Sequence, residues 1–393
     1  MEDIEVRGIY QDFVREVACR ENVNVYVVSA REKRTGLPTE FSQNGNVRSL
    51  KVEIGNISQT HFFEKGISTL TTEGKYLRAI KKYFSGVQFD LVTYSTPPIT
   101  FEKIVRYFKR KQNSKTYLML KDIFPQNAVD LGVLSRNGPL YHLFRMKEKK
   151  LYRASSVIGC MSQANVDYIL KHNPFLDPKN VEVFPNAVQL IEHPKAPPRK
   201  DVRERYGISE DAILFVYGGN LGKPQGIDFL LEVMEHFHKV ENGYLLVVGL
   251  GTEYKKIDDY LARRRPKKVK LLSALPKDEY DVLLGSADVG LIFLDRRFTV
   301  PNFPCRLVAY MEYSLPTLAA TDTTTDLREA LKESGSGFWS QSGDLDSFLK
   351  HAKQLAADLE LRKRMGSSGR TFLEDNYDIK KTLDIMLKHL VSQ

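Results

Sequence analysis

A glycine-rich turn in the middle of the chain constrains the fold more than any other feature. Residues 215–226 read FVYGGNLGKPQG, and they join an apolar strand over 213–217 to an amphipathic helix beginning near Ile227. Glycine lets a ligand approach the backbone without a Cβ in the way. The first N–H groups of a helix lack partners inside it and carry partial positive charge. A strand, a glycine turn and a helix in this order therefore predict a phosphate-binding loop.

Length and composition favour a globular chain with room for two domains. The chain has 393 residues, of which 42% are hydrophobic and 27% are charged. Its cysteines, Cys19, Cys160 and Cys305, show no CxxC spacing and no accompanying histidine cluster. We therefore expect a reducing cytoplasm, no disulfide framework, no metal and no cofactor. No apolar run reaches the roughly 20 residues that a membrane span requires.

Positive charge is in excess and clusters in three places. Lysine and arginine number 58 against 49 aspartate and glutamate, which gives a net charge of +9. The clusters lie at 103–111, 145–153 and 263–270. Such an excess favours nucleic acid, an anionic membrane surface or a phosphorylated small molecule. We expect no nucleic-acid partner, because no recognised nucleic-acid module is present. The second cluster, interleaved with aromatic and leucine side chains, suits a membrane interface or a solvated helix face.

Short β-branched runs alternate with longer amphipathic ones, which predicts α/β architecture with parallel sheets. Helices are predicted at 70–84, 345–355, 359–376 and 379–390. A proline-rich stretch at 191–200 is typical of a linker, so we predict two Rossmann-like domains over 1–190 and 201–375, with a last helix at 376–393 crossing back to the first. Strands are predicted at 23–28, 50–54, 89–94, 116–120, 156–160, 181–184, 213–217, 244–248, 269–272, 289–293 and 317–320.

The first domain departs from the usual Rossmann pattern. Such a domain opens with a central strand, a glycine loop and then a helix. Here Arg7-Gly8-Ile9 resembles the loop, a helix follows over 10–20, and no strand precedes them. We expect the first central strand to be missing from this sequence, either because the sequence starts after it or because the domain orders its strands differently.

Several motifs together resemble the family-4 retaining glycosyltransferases with the two-domain GT-B fold. The similarity is greatest to the bacterial branch that builds O-antigen, capsule and exopolysaccharide. Gly219-Asn220-Leu221-Gly222 with Gln225-Gly226 is similar to the first donor loop of that branch. Further motifs that resemble the family lie in the second half at 247–253 (VVGLGTE), 286–289 (SADV), and 303–307 (FPCRL) with 310–316. Two more lie in the first half, at 121–125 (KDIFP) and 184–187 (FPNA).

The resemblance implies two Rossmann-like domains facing across a cleft, the second binding a nucleotide-sugar that is UDP-linked. It implies transfer of a hexose or N-acetylhexosamine, with retention of anomeric configuration, to a lipid-diphosphate-linked saccharide. Such an enzyme is cytoplasmic and peripheral on the inner face of the cell membrane. Family members have no agreed nucleophile, so no residue is assigned that role.

Some family positions carry other residues in this sequence. The family carries an acidic pair separated by seven intervening residues, whose second member holds the donor ribose. The matching positions are Pro301 and Ala309, and neither can hold a ribose. Glu312, one helical turn beyond Ala309, is the candidate replacement. The family's Arg and Lys on the first loop match Asn220 and Gln225, an exchange that the polysaccharide branch shares. The family's N-domain histidine matches Lys121.

A departing nucleoside diphosphate needs neutralisation of its developing charge. Candidates on the first loop are its backbone N–H groups and the Lys223 ammonium, and Arg306 near a helix start can aim its guanidinium at phosphate oxygens. Gly249 and Gly251 are either donor contacts or turn glycines, and Glu253 is either a donor contact or an acid at a helix start. The complete predicted donor set is Gly219, Asn220, Gly222, Lys223, Gln225, Gly249, Gly251, Glu253, Arg306 and Glu312.

On the acceptor side, Asp122 follows a buried strand, and its carboxylate can orient a sugar hydroxyl or assist removal of its proton. Lys121 and Asp122 are the predicted catalytic residues. The alternative for Asp122 is a helix N-cap. Thr96, which also follows a strand, is either an acceptor contact or a cap.

The sequence is also compatible with two other functions. A nucleotide-sugar epimerase on the same fold needs acid and base residues that the first half offers only sparsely. A non-catalytic binding or scaffold descendant accords with the absent first strand and with Pro301 and Ala309.

Overall fold

The computed structural model of the protein describes residues 6–57, 62–191 and 199–391. The chain divides into two compact units. Unit 1 comprises Met1–Val129, Leu134–Gln189 and Ile379–Gln393, and unit 2 comprises Asp130–Val133 and Leu190–Asp378. Residues 192–198 of the predicted linker lie outside the described residues. None of the described helices is both long enough and apolar enough to cross a membrane.

Unit 2 is built on one parallel sheet of six strands, in the order β10-β9-β8-β11-β12-β13. Its central strands are continuous apolar runs that are buried on both faces, as parallel sheets covered by helices require. The strands are β8 (Ile213–Asn220), β9 (Gly243–Leu250), β10 (Val269–Leu272), β11 (Val289–Phe293), β12 (Thr317–Thr321) and β13 (Gly337–Gln341).

An apolar core packs the unit 2 sheet against helices that include α8 and α13. Phe215, Phe293 and Phe348 belong to it and are fully buried. The helices are α7 (Arg199–Arg205), α8 (Ile227–His236), α9 (Tyr254–Arg264), α10 (Lys277–Gly285), α11 (Arg306–Glu312), α12 (Leu327–Ser334), α13 (Leu345–Ala357) and α14 (Leu359–Asn376).

Unit 1 contains two sheets instead of one. A three-stranded sheet has the order β1-β3-β2, and a four-stranded parallel sheet has the order β4-β5-β6-β7. No described strand pairs with the free edge of β1 or of β4, which accords with the missing central strand expected from the sequence. The strands are β1 (Val25–Glu32), β2 (Glu40–Asn44), β3 (Val47–Ile54), β4 (Leu91–Ser95), β5 (Lys115–Leu120), β6 (Val157–Cys160) and β7 (Val181–Val183).

Among the described residues of unit 1, two apolar clusters hold its strands and helices together. Tyr26 and Val28 of β1 pack with Val92 of β4 against one cluster, which includes side chains of the helices α2 and α3. A second cluster joins β5 and β6 to the first and last helices of the chain. The helices are α1 (Ile9–Ala18), α2 (Phe62–Tyr83), α3 (Glu102–Lys111), α4 (Gln126–Asp130), α5 (Pro139–Ala154), α6 (Gln163–His172) and α15 (Ile379–Val391).

The structure corrects the predicted elements in three places. Strands β2 and β13 were not predicted, and β2 pairs antiparallel with β3 across a two-residue turn at Gly45-Asn46. Gly218 and Gly219, which were expected in a loop, continue β8 as far as Asn220, because the neighbouring β9 pairs with that extension up to Leu250.

Candidate functional site

The candidate site of unit 2 lies where the strand order reverses. The chain runs from β8 outward through β9 to β10 and then returns to β11 on the other side of β8. Open α/β sheets bind ligands at such a switch point, beyond the carboxyl ends of the strands. The loop after β8 meets the loop after β11 there, since the Asp295 N–H donates to the Pro224 carbonyl at 3.0 Å. Gly226 has a φ of +57°, and a Cβ at that position would lie 2.9 Å from the Leu294 carbonyl oxygen.

Residues 219–226, called the first loop below, are held against the end of β9 by backbone contacts. The Leu221 N–H donates to the Leu250 carbonyl, and the Glu253 N–H donates to the Leu221 carbonyl, each at 2.9 Å. A Cβ on Gly249 would lie 1.9 Å from the Gly219 oxygen, and one on Gly251 would lie 2.4 Å from the Leu221 backbone. Both glycines are therefore required for this close packing. Whether they also contact a donor stays a prediction.

Arg306 clamps the first loop to β8. Its Nε donates to the Gly218 carbonyl at 2.6 Å and its Nη1 donates to Gln225 Oε1 at 2.8 Å. The guanidinium lies over the Tyr217 ring, 4.5 Å from the ring centroid. A Cβ on Gly219 would lie 3.2 Å from Nη2, so this nitrogen, which has no hydrogen bond to a described residue, is directed toward Gly219. Arg306 thus holds the loop through Nε and Nη1. Binding of an anion by Nη2 stays a prediction.

Polar side chains are exposed around this clamp. Asn220 and Lys223 lie on the open side of the first loop, and the Lys223 ammonium contacts no described side chain through an ion pair or hydrogen bond. Sequence reasoning missed two cations at the end of β11, Arg296 and Arg297, although an Arg-Arg pair directly after a buried strand was a visible signal. Burial alone would raise the pKa of the Asp295 carboxyl, but hydrogen bonds from Arg297 outweigh burial and lower that pKa.

The other predicted donor residues lie farther from this arrangement. Glu253 directly precedes α9, and its carboxylate lies 3.8 Å from the Lys256 ammonium, as suits an acid at a helix start. Glu312 is buried at the end of α11, and its carbonyl accepts a hydrogen bond from Arg370 at 3.1 Å. Six residues separate Glu312 from Arg306, which places them roughly 120° apart around the helix. The structure therefore does not bring Glu312 to the side of α11 that Arg306 occupies.

A second polar group lies in unit 1, at the carboxyl ends of β4 and β5. The buried Thr96 hydroxyl accepts hydrogen bonds from the N–H groups of Lys121 and Asp122 at 3.1 and 3.3 Å. It also donates to the Asp122 carbonyl at 3.2 Å. Thr96 thus fixes the backbone that carries both predicted catalytic residues. A direct contact between Thr96 and an acceptor stays a prediction.

Asp122 presents a half-buried carboxylate that makes no hydrogen bond or ion pair with a described residue. In particular, it caps no described helix, because its carboxylate accepts no backbone N–H of α4. Burial raises the pKa of this carboxyl above its ordinary value. An unpaired carboxylate with a raised pKa at the end of a parallel strand is typical of a functional group.

Lys121 lies beside Asp122 in a small cavity of unit 1. Its ammonium donates to Asn186 Oδ1 at 2.8 Å and lies 5.8 Å from the centroid of the Phe184 ring. Tyr10 also lines the cavity, and its hydroxyl donates to Ser95 Oγ at 3.1 Å. The sequence motif 184–187 contained Asn186, but only the structure reveals that this amide holds the lysine.

The two Rossmann-like units define an α/β fold shared by solved glycosyltransferases of the GT-B class. Sucrose-phosphate synthase from Thermosynechococcus elongatus superposes with a TM-score of 0.78 at 15% identity, over 98% of this chain and 92% of that one. Anabaena Alr3699/HepE, solved in complex with UDP and glucose, gives a TM-score of 0.65 at 14% identity, over 87% of each chain.

The family match lies in unit 2. Residues 198–372, which include the first loop and Arg306, match the family model described as Glycosyl transferases group 1. Over 312 residues the chain is 21% identical to the probable glycosyltransferase WbjE of Pseudomonas aeruginosa, covering 77% of this chain and 74% of that protein. These matches support the predicted glycosyltransferase class for this domain.

Proposed function

We propose that the protein is a retaining glycosyltransferase that moves a sugar from a nucleotide-sugar to a lipid-linked saccharide in the synthesis of a cell-surface polysaccharide. The observation that carries the proposal is the first loop at the switch point of unit 2, held by Arg306 with Nη2 and Lys223 left for an anion. The solved complex of Alr3699/HepE with UDP and glucose supports a UDP-linked donor.

In the proposed reaction, unit 2 binds the donor through its diphosphate. Backbone N–H groups of the first loop, Lys223 and Arg306 Nη2 stabilise the charge that develops on the leaving phosphate. The bond between the anomeric carbon and the phosphate oxygen breaks, and a nucleoside diphosphate leaves. We expect these groups to suffice for charge stabilisation without a metal ion or cofactor.

Unit 1 supplies the groups that act on the acceptor. A sugar hydroxyl of the acceptor forms the new bond to the anomeric carbon, and its proton passes to the Asp122 carboxylate or to an oxygen of the donor phosphate. Lys121, whose ammonium is fixed by Asn186, directly precedes Asp122 in the sequence. No covalent intermediate is assigned, and a carboxylate that assists proton transfer contributes about 10²- to 10⁴-fold to the rate.

The test is a thermal-shift screen of the whole chain with UDP, GDP and their sugars, followed by turnover with the donors that bind. A ligand at 100 times its Kd stabilises the native state by about 2.7 kcal/mol, which gives a clear rise in melting temperature. Release of nucleoside diphosphate should then require an acceptor, and the product should keep the donor's anomeric configuration by NMR.

Three results would count against the proposal. If no nucleotide or nucleotide-sugar of the panel binds, the first loop is not a donor site. An epimerised donor after incubation without acceptor would identify an epimerase of the same fold. Donor binding without turnover on any lipid-linked saccharide would identify a binding or scaffold protein, the alternative with which Pro301 and Ala309 accord.

A further inference from the structure

Three helices of unit 1, α2, α3 and α5, form a surface that carries cations and no exposed described carboxylate. The ring of Tyr107 on α3 contacts the Lys81 ammonium of α2 at 4.4 Å from the ring centroid. Lys109 of α3 donates to the Ala154 carbonyl at the end of α5 at 3.2 Å. These contacts bring the basic carboxyl-terminal ends of the three helices together. The exposed cations there, called the basic face, include Lys81, Lys82, Lys109, Arg110, Lys150 and Arg153.

The acidic side chains described on these helices are withdrawn from the surface. Glu73, Glu102 and Glu148 are 6%, 8% and 3% exposed. Glu73 accepts the backbone N–H of Ile104 at 3.3 Å, and Glu148 accepts the Tyr152 hydroxyl at 2.7 Å. Because these carboxylates are buried and bonded within unit 1, they screen the basic face only weakly. A solvated helix face would be expected to mix both signs of charge.

Helix α5 adds apolar side chains to the same surface. Leu140, Leu143 and Met146 are 44%, 39% and 43% exposed and follow one another at three-residue spacing. Together they cover an arc of about 120° around the helix. A cation follows each of them seven residues later, and seven residues return to nearly the same side after two turns. These pairs are Leu140 with Lys147, Leu143 with Lys150, and Met146 with Arg153. One side of α5 is therefore apolar in its first half and basic in its second.

We propose that unit 1 docks on an anionic lipid bilayer through the basic face, with Leu140, Leu143 and Met146 of α5 entering the headgroup layer. The order of apolar and basic side chains fits an interfacial helix, whose apolar residues reach about 5–10 Å into that layer while cations bind lipid phosphates. The inference deepens the proposed function, because it names the surface at which a lipid-linked acceptor is met. Nucleic acid, which also attracts cations, offers no apolar layer for the three α5 side chains.

The experiment is sedimentation of the whole chain with vesicles that contain only lipid. Vesicles of phosphatidylcholine alone are compared with vesicles containing about one third phosphatidylglycerol. We expect binding only to the anionic vesicles, and we expect it to weaken as salt rises from 50 to 500 mM because the charges are screened. Equal binding to both vesicle types, or no binding to either, would overturn the proposal.

Two double variants with the same change in charge localise the surface. Arg110→Glu with Lys150→Glu alters the basic face, and Arg263→Glu with Lys267→Glu alters the basic cluster of unit 2. Each lowers the net charge by four. We expect the first to weaken vesicle binding by at least about 30-fold, from about 1 kcal/mol per cation near an anionic membrane, and the second by less than about threefold. Equal losses would mean that net charge alone drives binding.

A third variant and a competing ligand complete the test. Leu143→Gln with Met146→Gln keeps every charge and should weaken vesicle binding by about tenfold, from the loss of two buried apolar groups. A single-stranded RNA that binds more tightly than anionic vesicles at equal salt, and loses binding in the Arg110 and Lys150 variant, would overturn the proposal in favour of nucleic acid. Donor thermal shifts of all variants are measured in parallel, so that loss of the lipid surface is distinguished from loss of the donor site.

Discussion

Unit 2 and unit 1 both alternate strands with helices, but their sheets differ in completeness. In unit 2 six strands pair side by side, and every residue of β11 and β12 is buried. In unit 1 the strands divide into sheets of three and four, and β1 and most of β4 are only partly buried. Each unpaired strand edge leaves backbone N–H and C=O groups without sheet partners. The first loop therefore rests on a complete sheet, whereas Lys121 and Asp122 rest on an open one.

The largest expected effect tests whether unit 1 contributes chemistry and not only binding. Asp122→Asn should lower kcat by about 10²- to 10⁴-fold while leaving the donor-induced thermal shift intact. Because burial raises the pKa of Asp122, its ionised form is disfavoured in the folded state. The neutral amide should therefore leave the melting temperature at pH 7 unchanged or higher, which separates a catalytic loss from unfolding.

The raised pKa of Asp122 also leads to a prediction about the pH dependence of kcat/KM. If Asp122 accepts the proton, kcat/KM should fall as pH decreases through its pKa, with a midpoint above the ordinary aspartate value of 3.8. The acid limb should be absent from the residual activity of Asp122→Asn. An unchanged acid limb in the variant would assign proton transfer to the donor phosphate instead.

The next prediction tests the scaffold of unit 2. Gly251→Ala places a Cβ 2.4 Å from the Leu221 backbone, and backbone cannot move aside as a flexible side chain can. Overpacking of this kind costs about 1–3 kcal/mol, so the first loop should shift and donor affinity should fall by about 5- to 150-fold, measured by calorimetry. Gly74→Ala is the control described below.

Hydrogen exchange compares the two sheets directly. Amides of β1 and β4 should exchange at least about 100-fold faster than those of β8 and β11, because strands with few buried contacts open without global unfolding. Mass spectrometry of peptic fragments gives both rates in one experiment. Equal protection in the two sets of strands would remove the distinction between a complete and an open scaffold.

The smallest expected effect is a stabilisation of unit 1. Gly74 lies inside α2, and a Cβ there would meet no atom within 4 Å. Gly74→Ala should therefore stabilise the protein by about 0.5–1 kcal/mol through helix propensity, seen as a higher denaturation midpoint in urea. Donor affinity should not change, because Gly74 lies outside the donor site. Gly251→Ala adds the same single methyl group, so a loss of affinity in that variant alone reflects the position of the methyl group.

The sequence predicted the α/β class and most parallel strands because continuous apolar runs report burial on both faces. Strand β2 was missed because all five of its residues are exposed and most are polar, so it lacks the alternation that marks a half-buried strand. The extension of β8 through two glycines was missed because glycine usually indicates a turn, and only pairing with β9 shows that the strand continues.

Site prediction was limited by contacts between distant parts of the sequence. The loop and Asp122 were identifiable as residue types placed after strands, and Arg306 as a cation near a helix start. The use of Arg306 as a clamp depends on Gly218 and Gln225, more than 80 positions away. Likewise, Asp122 is unpaired because no side chain near it in space bonds to its carboxylate. The order of residues in the sequence does not show which side chains lie near it.

The backbone packing of Gly249 and Gly251 on the first loop has a consequence for engineering. Main-chain atoms, and not the side chains of Asn220 or Lys223, set the curvature of that segment. Positions 220 and 223 can therefore be randomised in a library without disturbing the curve on which they stand. Substitution at either position therefore reports on that side chain and not on the shape of the loop.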